Sequence, residues 1–211
     1  MNRIFLCCLG LLLMSSAYGQ RKRGSIAYLD SIAKQQVETL RTQQVDTLFV
    51  WARSCEGDAQ AFRMKDGKFC SSKDTYIEAA VIYMKAGKPM VTKMDNCGFF
   101  KPVTLPNTEI LDYYLANQDE IKGSGVKSYE TDAVYDTPTA RTEVYRCQRN
   151  YVFFDEDGEY EFRYKELDLS NDPEYPNKNY TYNNHHPQVK LDALISPLMD
   201  HLETQAKFRR Q

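Results

Sequence analysis

Three two-residue turn signals in this 211-residue chain restrict its fold more than any other feature of the sequence. Asp66-Gly67, Ala86-Gly87 and Asp157-Gly158 each separate two short segments rich in β-branched and aromatic residues. A two-residue connection joins antiparallel strands, whereas parallel strands need a crossover of about a dozen residues or more. The sequence therefore predicts a mainly antiparallel sheet. Residues 45–52 are rich in β-branched and aromatic residues and are apolar at successive positions after Thr47, which predicts a central strand of that sheet, buried on both faces.

The stretch from Tyr76 to Lys85 fits two structures. As a helix it would end near Gly87, with Pro89 just beyond. Glycine and proline are common at these positions after the end of a helix. As a strand it would pair across Ala86-Gly87 with residues 89–95. The β-branched and aromatic residues at 81–83 favour a strand, so we predict a hairpin. Its register would place Tyr83 opposite Met90, Val81 opposite Thr92 and Ala79 opposite Met94.

The segments around Asp157-Gly158 predict a second hairpin with an aromatic face. With these two residues as the turn, Phe153 would lie opposite Phe162 and Tyr151 opposite Tyr164. Tyr160, Phe162 and Tyr164 alternate with Glu161, Arg163 and Lys165, so the two faces of the ribbon differ completely in polarity. We expect most of the aromatic side chains on these strands to pack beneath a helix.

Three amphipathic segments surround the strands. Ser25 can cap the first, the second begins after Asn107 and ends at Gly123, and the third starts near Gln188 and is kinked or restarted at Pro197. Strands joined by tight turns and accompanied by separate helices are typical of the α+β class. We predict a single α+β domain over residues 20–211, with a mainly antiparallel sheet of about five to seven strands and N-terminal, central and C-terminal helices packed on it.

The first nineteen residues have the three parts of a secretory signal. Arg3 supplies the positive start, residues 4–14 are apolar, and Ala17 and Gly19 are small residues at the right distance from a cleavage site. Eleven residues of helix span only ~17 Å, against a hydrocarbon core of roughly 30 Å. We therefore expect a cleaved signal peptide, a secreted or periplasmic protein, and no integral membrane segment after cleavage.

Charge excludes one class of partner. The formal net charge is −2, and binding to nucleic acid requires a clustered basic excess. No nucleic-acid partner is expected.

Four cysteines remain after the signal: Cys55, Cys70, Cys97 and Cys147. An exported chain with an even number of cysteines favours disulfides, and four cysteines allow three pairings. We favour Cys55 with Cys70, which would close a local hairpin region, and Cys97 with Cys147, which would join two strands. The other pairings stay open. The sequence contains no Cys-x-x-Cys pair, the spacing typical of a structural zinc site.

Motifs for catalysis and cofactor binding are absent from the sequence. There is no Gly-x-Ser-x-Gly elbow, no HExxH motif and no phosphate-binding glycine loop. His185, His186 and His201 could combine with Asp172, Glu174 or Asp200 around a metal, but adjacent histidines point in different directions on most backbones. We predict no metal site, no cofactor and no identifiable catalytic residue.

The longest segment without a strand or helix pattern covers residues 170–187 and is rich in Asn, Pro and Tyr. Long loops of this kind often carry function, and tyrosine is common at protein interfaces. We predict contact with a protein, peptide or glycan through this loop, by Tyr175, Tyr180, Tyr182, His185 and His186, and through the aromatic hairpin. The expected function is that of an exported, non-enzymatic binding protein. The alternative is an exported hydrolase with a carboxylate- or His-centred site that the sequence does not identify.

Overall fold

The structure, a computed structural model, describes residues 23–45, 47–73, 75–132, 146–154 and 158–211. The predicted signal peptide lies outside these residues. Helices and an antiparallel sheet form one α+β domain, as the sequence predicts. No helix of the described ranges is long and apolar enough to cross a membrane.

The strands of the described residues are β1 (Leu48–Cys55), β2 (Ala61–Arg63), β3 (Phe69–Ser71), β4 (Ile77–Lys85), β5 (Lys88–Asp95), β6 (Gly98–Phe99), β7 (Val103–Thr104), β8 (Cys147–Phe154) and β9 (Glu159–Lys165). Six of them form the main sheet in the order β6-β5-β4-β1-β8-β9, and the short β7 also pairs with β5. Every pairing is antiparallel. β2 and β3 form a separate two-stranded ribbon.

Helices cover both faces of the sheet. They are α1 (Ile26–Thr42), α2 (Glu109–Gly123), α3 (Tyr180–His185) and α4 (Pro187–Thr204), and a 3₁₀ helix (Glu166–Leu169) follows β9. One apolar cluster forms between α1 and one face of the sheet, and a larger one forms where α2 and α4 pack on the other face. We call the latter the α4 face. Trp51, in β1, is fully buried in that larger cluster, as expected for a central strand.

Local sequence explains how the two long helices begin. The Ser25 side chain accepts a hydrogen bond from the backbone N–H of Tyr28 and caps α1. His186 caps α4 in the same way, through the N–H of Gln188. Pro197 lies inside α4, which continues through it to Thr204. In α2, Ile110, Leu111, Tyr114 and Ile121 are buried, whereas Leu115 is 45% exposed.

The two long hairpins test the predicted registers. β4 and β5 pair as expected, with Tyr83 opposite Met90 and Val81 opposite Thr92. The register predicted for β8 and β9 is wrong by two residues, because Phe154 pairs with Glu159 and the connection is four residues long. Gly158 has φ +148°, outside the range that a two-residue Asp-Gly turn needs. A shift of two preserves the faces, so the aromatic residues still share one side.

The favoured disulfide pairing is also wrong. All four cysteines are paired, but as Cys55–Cys147 and Cys70–Cys97. Cys55 and Cys147 are register partners at one end of the β1–β8 pair, an adjacency that depends on the order of the strands in the sheet. The second bridge ties the β2–β3 ribbon to the turn after β5. The prediction assumed that β1 continued into a local hairpin containing Cys70.

Candidate functional site

The segment predicted as an irregular loop at residues 170–187 is an ordered structure that includes α3. Its order comes from asparagine side chains that hydrogen-bond to the backbone. Asn177 is 5% exposed, and its amide nitrogen donates to the carbonyls of Asp168 and Ser170, at 3.0 and 3.1 Å. Its amide oxygen accepts from the N–H groups of Asn179 and Glu130. Hydrogen bonds from side chains to the backbone leave no periodic pattern of apolar residues in the sequence. The prediction of an irregular loop therefore missed this structure.

Asn183 performs the same role deeper in the protein. It is fully buried, and its amide oxygen accepts from the N–H of Lys127 at 2.9 Å. Its amide nitrogen donates to the carbonyls of Lys127 at 2.8 Å and Asp168 at 2.7 Å. One side chain therefore joins three segments of the chain: α3, the segment after α2 that contains Lys127, and the 3₁₀ helix.

The carboxylates of Asp168 and Asp172 add further hydrogen bonds to the backbone in and around this segment. Asp168 accepts from the N–H groups of Tyr129 and Lys165, both within 2.9 Å. Asp172 accepts from the N–H groups of Glu174 and Tyr175 and forms a local turn. A side-chain acceptor that satisfies a backbone donor replaces the bonds missing from a segment without strands. The backbone of residues 168–186 is therefore fixed at many points.

This scaffold presents two tyrosines to solvent. Tyr180 and Tyr182, both in α3, are 40% and 37% exposed. The Lys127 ammonium lies 4.2 Å from the centre of the Tyr182 ring, and the Tyr182 hydroxyl donates to the carbonyl of Gly125 at 3.4 Å. His185 is also exposed. We call these four exposed residues, Lys127, Tyr180, Tyr182 and His185, the tyrosine surface. Tyr180 and Tyr182 are two positions apart in α3 and therefore point to different sides of that helix.

The structure separates the five residues predicted as contacts. Tyr180, Tyr182 and His185 lie on the tyrosine surface. Tyr175 is half-buried, and its carbonyl accepts a hydrogen bond from the Tyr129 hydroxyl. His186 is 2% exposed and lies beneath the surface, where its ring contacts the Tyr182 ring at a centroid distance of 5.6 Å.

His186 forms a pair with Ser124 that resembles a hydrolytic nucleophile and base only in composition. The Nδ1 atom accepts from the backbone N–H of Gln188 at 3.2 Å, so the ring proton is on Nε2. Nε2 lies 3.1 Å from Ser124 Oγ and therefore donates to it, while the hydroxyl donates to the carbonyl of Glu120. A general base must accept the proton of the nucleophile. Burial lowers the pKa of His186, which favours this neutral, donating form.

The other histidines do not converge on carboxylates. His185 Nδ1 lies 2.7 Å from the carbonyl of Thr181, and His201 Nε2 lies 2.8 Å from the side-chain nitrogen of Gln205. Among the residues that the structure describes, no group of three or more His, Cys, Asp or Glu side chains could hold a metal ion.

A buried polar cluster on the α4 face was missed by the sequence analysis. Asp192, in α4, accepts from Trp51 Nε1 at 2.7 Å, from Arg149 Nε at 3.2 Å and from Ser196 Oγ at 3.2 Å. The Tyr151 hydroxyl donates to the same carboxylate at 3.4 Å. Burial raises the pKa of Tyr151 well above its usual value, so the hydroxyl stays protonated. A buried indole N–H needs an acceptor. The sequence therefore held one indication of this cluster, the requirement of the Trp51 N–H for an acceptor.

A second charged group joins the sheet to the C-terminal part of α4. Arg53 pairs with Glu78 and with Asp200 of α4, both at 2.6 Å. Lys93, only 3% exposed, lies 3.2 Å from Glu78 and also pairs with Glu203. Further along, Arg210 pairs with the fully buried Asp95. Each buried charge thus has a partner of opposite sign, and the group fastens α4 and the C-terminal residues to the sheet.

Two open cavities occur in the described part of the molecule. One, of about 300 Å³, lies beside the Cys55–Cys147 bridge and is lined by residues such as Glu56, Arg146 and Lys165. The other, of about 370 Å³, lies between β9 and the segment containing Ser128 and Tyr129. Ligand pockets are usually concave sites that bury most of the ligand, whereas both of these cavities are open to solvent, so neither has the form of a small-molecule site.

Comparisons with known protein families, with curated proteins and with solved structures found no match.

Proposed function

We propose that this protein is an exported, non-enzymatic binding protein that contacts a protein or peptide through the tyrosine surface. The observation that carries the proposal is the exposure of Tyr180 and Tyr182 on a backbone fixed by buried Asn177 and Asn183. Ordering a loop on binding costs free energy, and a loop that is already ordered avoids that cost. Tyrosine contributes strongly to interfaces because it combines a large apolar ring with a hydroxyl.

The chemistry of the surface favours a protein or peptide over a glycan. Amide side chains often bind sugar hydroxyls, but Asn177, Asn183 and Asn184 donate to backbone carbonyls of this chain. What the surface offers is aromatic area, tyrosine hydroxyls and the Lys127 ammonium. This set suits an apolar side chain flanked by a carboxylate, which is common in peptides.

Export is supported by the signal-like first nineteen residues and by the two disulfides, which persist in oxidising compartments. The hydrolase alternative has no observation in its favour within the described residues. Its best candidate, the Ser124–His186 pair, has the ring proton on the atom that would have to act as the base.

The proposal is tested by capturing partners from the extracellular or periplasmic fraction of the source cells. Wild-type protein is compared with the Tyr180→Ala/Tyr182→Ala double variant, and the captured partner is then titrated against each. Loss of two anchoring side chains of about 2 kcal/mol each, about 4 kcal/mol together, should weaken binding roughly 700-fold.

The matched control is Phe69→Ala/Leu115→Ala, which removes two exposed apolar side chains elsewhere, 77% and 45% exposed. It should capture the partner as the wild type does. Equal recovery by the wild type and the tyrosine variant, with both proteins folded by circular dichroism, would contradict the proposal.

A further inference from the structure

β9 forms one edge of the main sheet. It pairs with β8 along its whole length and with no other strand of the described residues. The backbone N–H of Lys165 donates to Asp168 Oδ2 at 2.8 Å, so it points away from β8. Alternate residues of a strand direct their backbone groups to the same side. The N–H and C=O groups of Glu161 and Arg163 therefore also point outward, where a further strand could pair with them.

The charges along this edge are arranged as an inverted repeat. Glu159 and Glu161 precede Phe162, and Arg163 and Lys165 follow it at the same spacings. All four charged side chains are exposed on the face opposite α4. When such a strand pairs antiparallel with a copy of itself about Phe162, Glu161 lies opposite Arg163 of the second copy, and Glu159 lies opposite Lys165 of the second copy. Opposite charges in facing positions stabilise a strand pair.

The same pattern selects one register. A shift by two residues in one direction would place Glu161 opposite Glu161 of the second copy. The equal shift in the other direction would place Arg163 opposite Arg163 of the second copy. Like charges in facing positions destabilise a strand pair, and a shift by one residue would mismatch the two faces. Only pairing about Phe162 matches every charge with its opposite.

We propose that β9 is a self-association edge through which two copies of this chain form a two-fold symmetric dimer with a continuous sheet. Contact through one strand buries less than the roughly 1,200 Å² of a standard interface, so the dimer is weak and forms at high protein concentration. Exposed ion pairs are screened by salt, so added salt weakens it further.

Dimerisation would also bring two tyrosine surfaces to the same edge. The Phe162 ring lies against Gly125, and the Tyr182 hydroxyl donates to the carbonyl of Gly125. The symmetry axis passes beside Phe162, so the two copies of Tyr182 lie on the same side of the joined sheet. This consequence rests on the proposed function, whereas the self-association itself does not.

Charge reversal tests the proposal with the full chain. Sedimentation equilibrium at low salt, from low micromolar to several hundred micromolar, compares the wild type with Glu161→Arg and with Arg163→Glu. Each single variant places like charges opposite each other at both central pairs. Each should dimerise at least about tenfold more weakly than the wild type.

A mixture of the two charge-reversal variants tests the proposed pairing of opposite charges directly. The Glu161→Arg chain has two positive charges beside Phe162 and the Arg163→Glu chain has two negative charges, so an equimolar mixture should form a heterodimer. Glu38→Arg, which reverses an exposed charge on α1, should dimerise like the wild type. A monomeric wild type at every concentration would overturn the proposal. Single variants that dimerise as strongly as the wild type, or an equimolar mixture that stays monomeric, would also overturn the proposal.

Discussion

Single polar side chains determine the shape of the candidate site more than its aromatic residues do. His186 illustrates this. Its ring caps α4 through Nδ1 and reaches Ser124 through Nε2, so both nitrogens are occupied in the neutral state. A proton added at Nδ1 would remove the acceptor that caps the helix.

We therefore predict that His186 makes the free energy of unfolding depend on pH. Burial lowers the pKa of His186 in the folded protein, so the unfolded chain binds the proton more readily. The stabilisation is complete above the unfolded pKa of about 6.5 and is lost as the pH falls through the folded value. Chemical denaturation should show a decline of at most about 1.4 kcal/mol per pH unit below that point from this group.

His186→Asn isolates the effect, because asparagine is a good helix cap but does not titrate. This variant should lose the decline below about pH 6.5, while His185→Asn, at an exposed neighbour, should retain it. A decline that persists in His186→Asn and disappears in His185→Asn would show that burial of His186 is not its source.

At the scale of elements, the short helix α3 depends on Asn183. The Asn183→Ala variant would leave the N–H and C=O of Lys127 without their present partner, whereas the C=O of Asp168 would keep its hydrogen bond from Asn177. Unsatisfied buried groups cost about 1–3 kcal/mol each, partly relieved by water. We expect a loss of roughly 2–4 kcal/mol in the free energy of unfolding, measured by urea denaturation.

Asn117→Ala is the matched control, because Asn117 makes one hydrogen bond, to the carbonyl of Tyr113 within its own helix. It should change stability by less than about 1 kcal/mol. Equal stability of Asn183→Ala and the wild type would show that these bonds do not hold α3 in place.

The elements also show what the sequence could predict. Hydrophobic patterns were sufficient for α1 and for the central strand β1, and the Ala86-Gly87 turn was sufficient for the register of β4 and β5. The register of β8 and β9 was wrong because a four-residue connection replaces the expected two-residue turn. α3 was missed because it is held by side-chain bonds to distant backbone groups, which leave no periodic signal in the sequence.

At the scale of the molecule, the information that was missing concerns which elements are neighbours. The Cys55–Cys147 bridge joins residues 92 positions apart that meet only because β8 lies beside β1. The Asp192 cluster likewise requires α4 to lie over β1 and β8. Local patterns predict elements, whereas pairs such as these depend on topology. The α+β class could therefore be predicted, but the disulfide pairing and the buried charges could not.

The proposed function depends on residues 168–186 being ordered before a partner binds. Hydrogen exchange of the free protein measures this order at the backbone amides of Lys127, Tyr129, Asn177 and Lys178. All four donate to acceptors in other segments or turns of the site. We expect exchange at least about a hundredfold slower than in an unstructured peptide, an opening free energy of roughly 2.7 kcal/mol. Exchange at the rate of an unstructured peptide would contradict it.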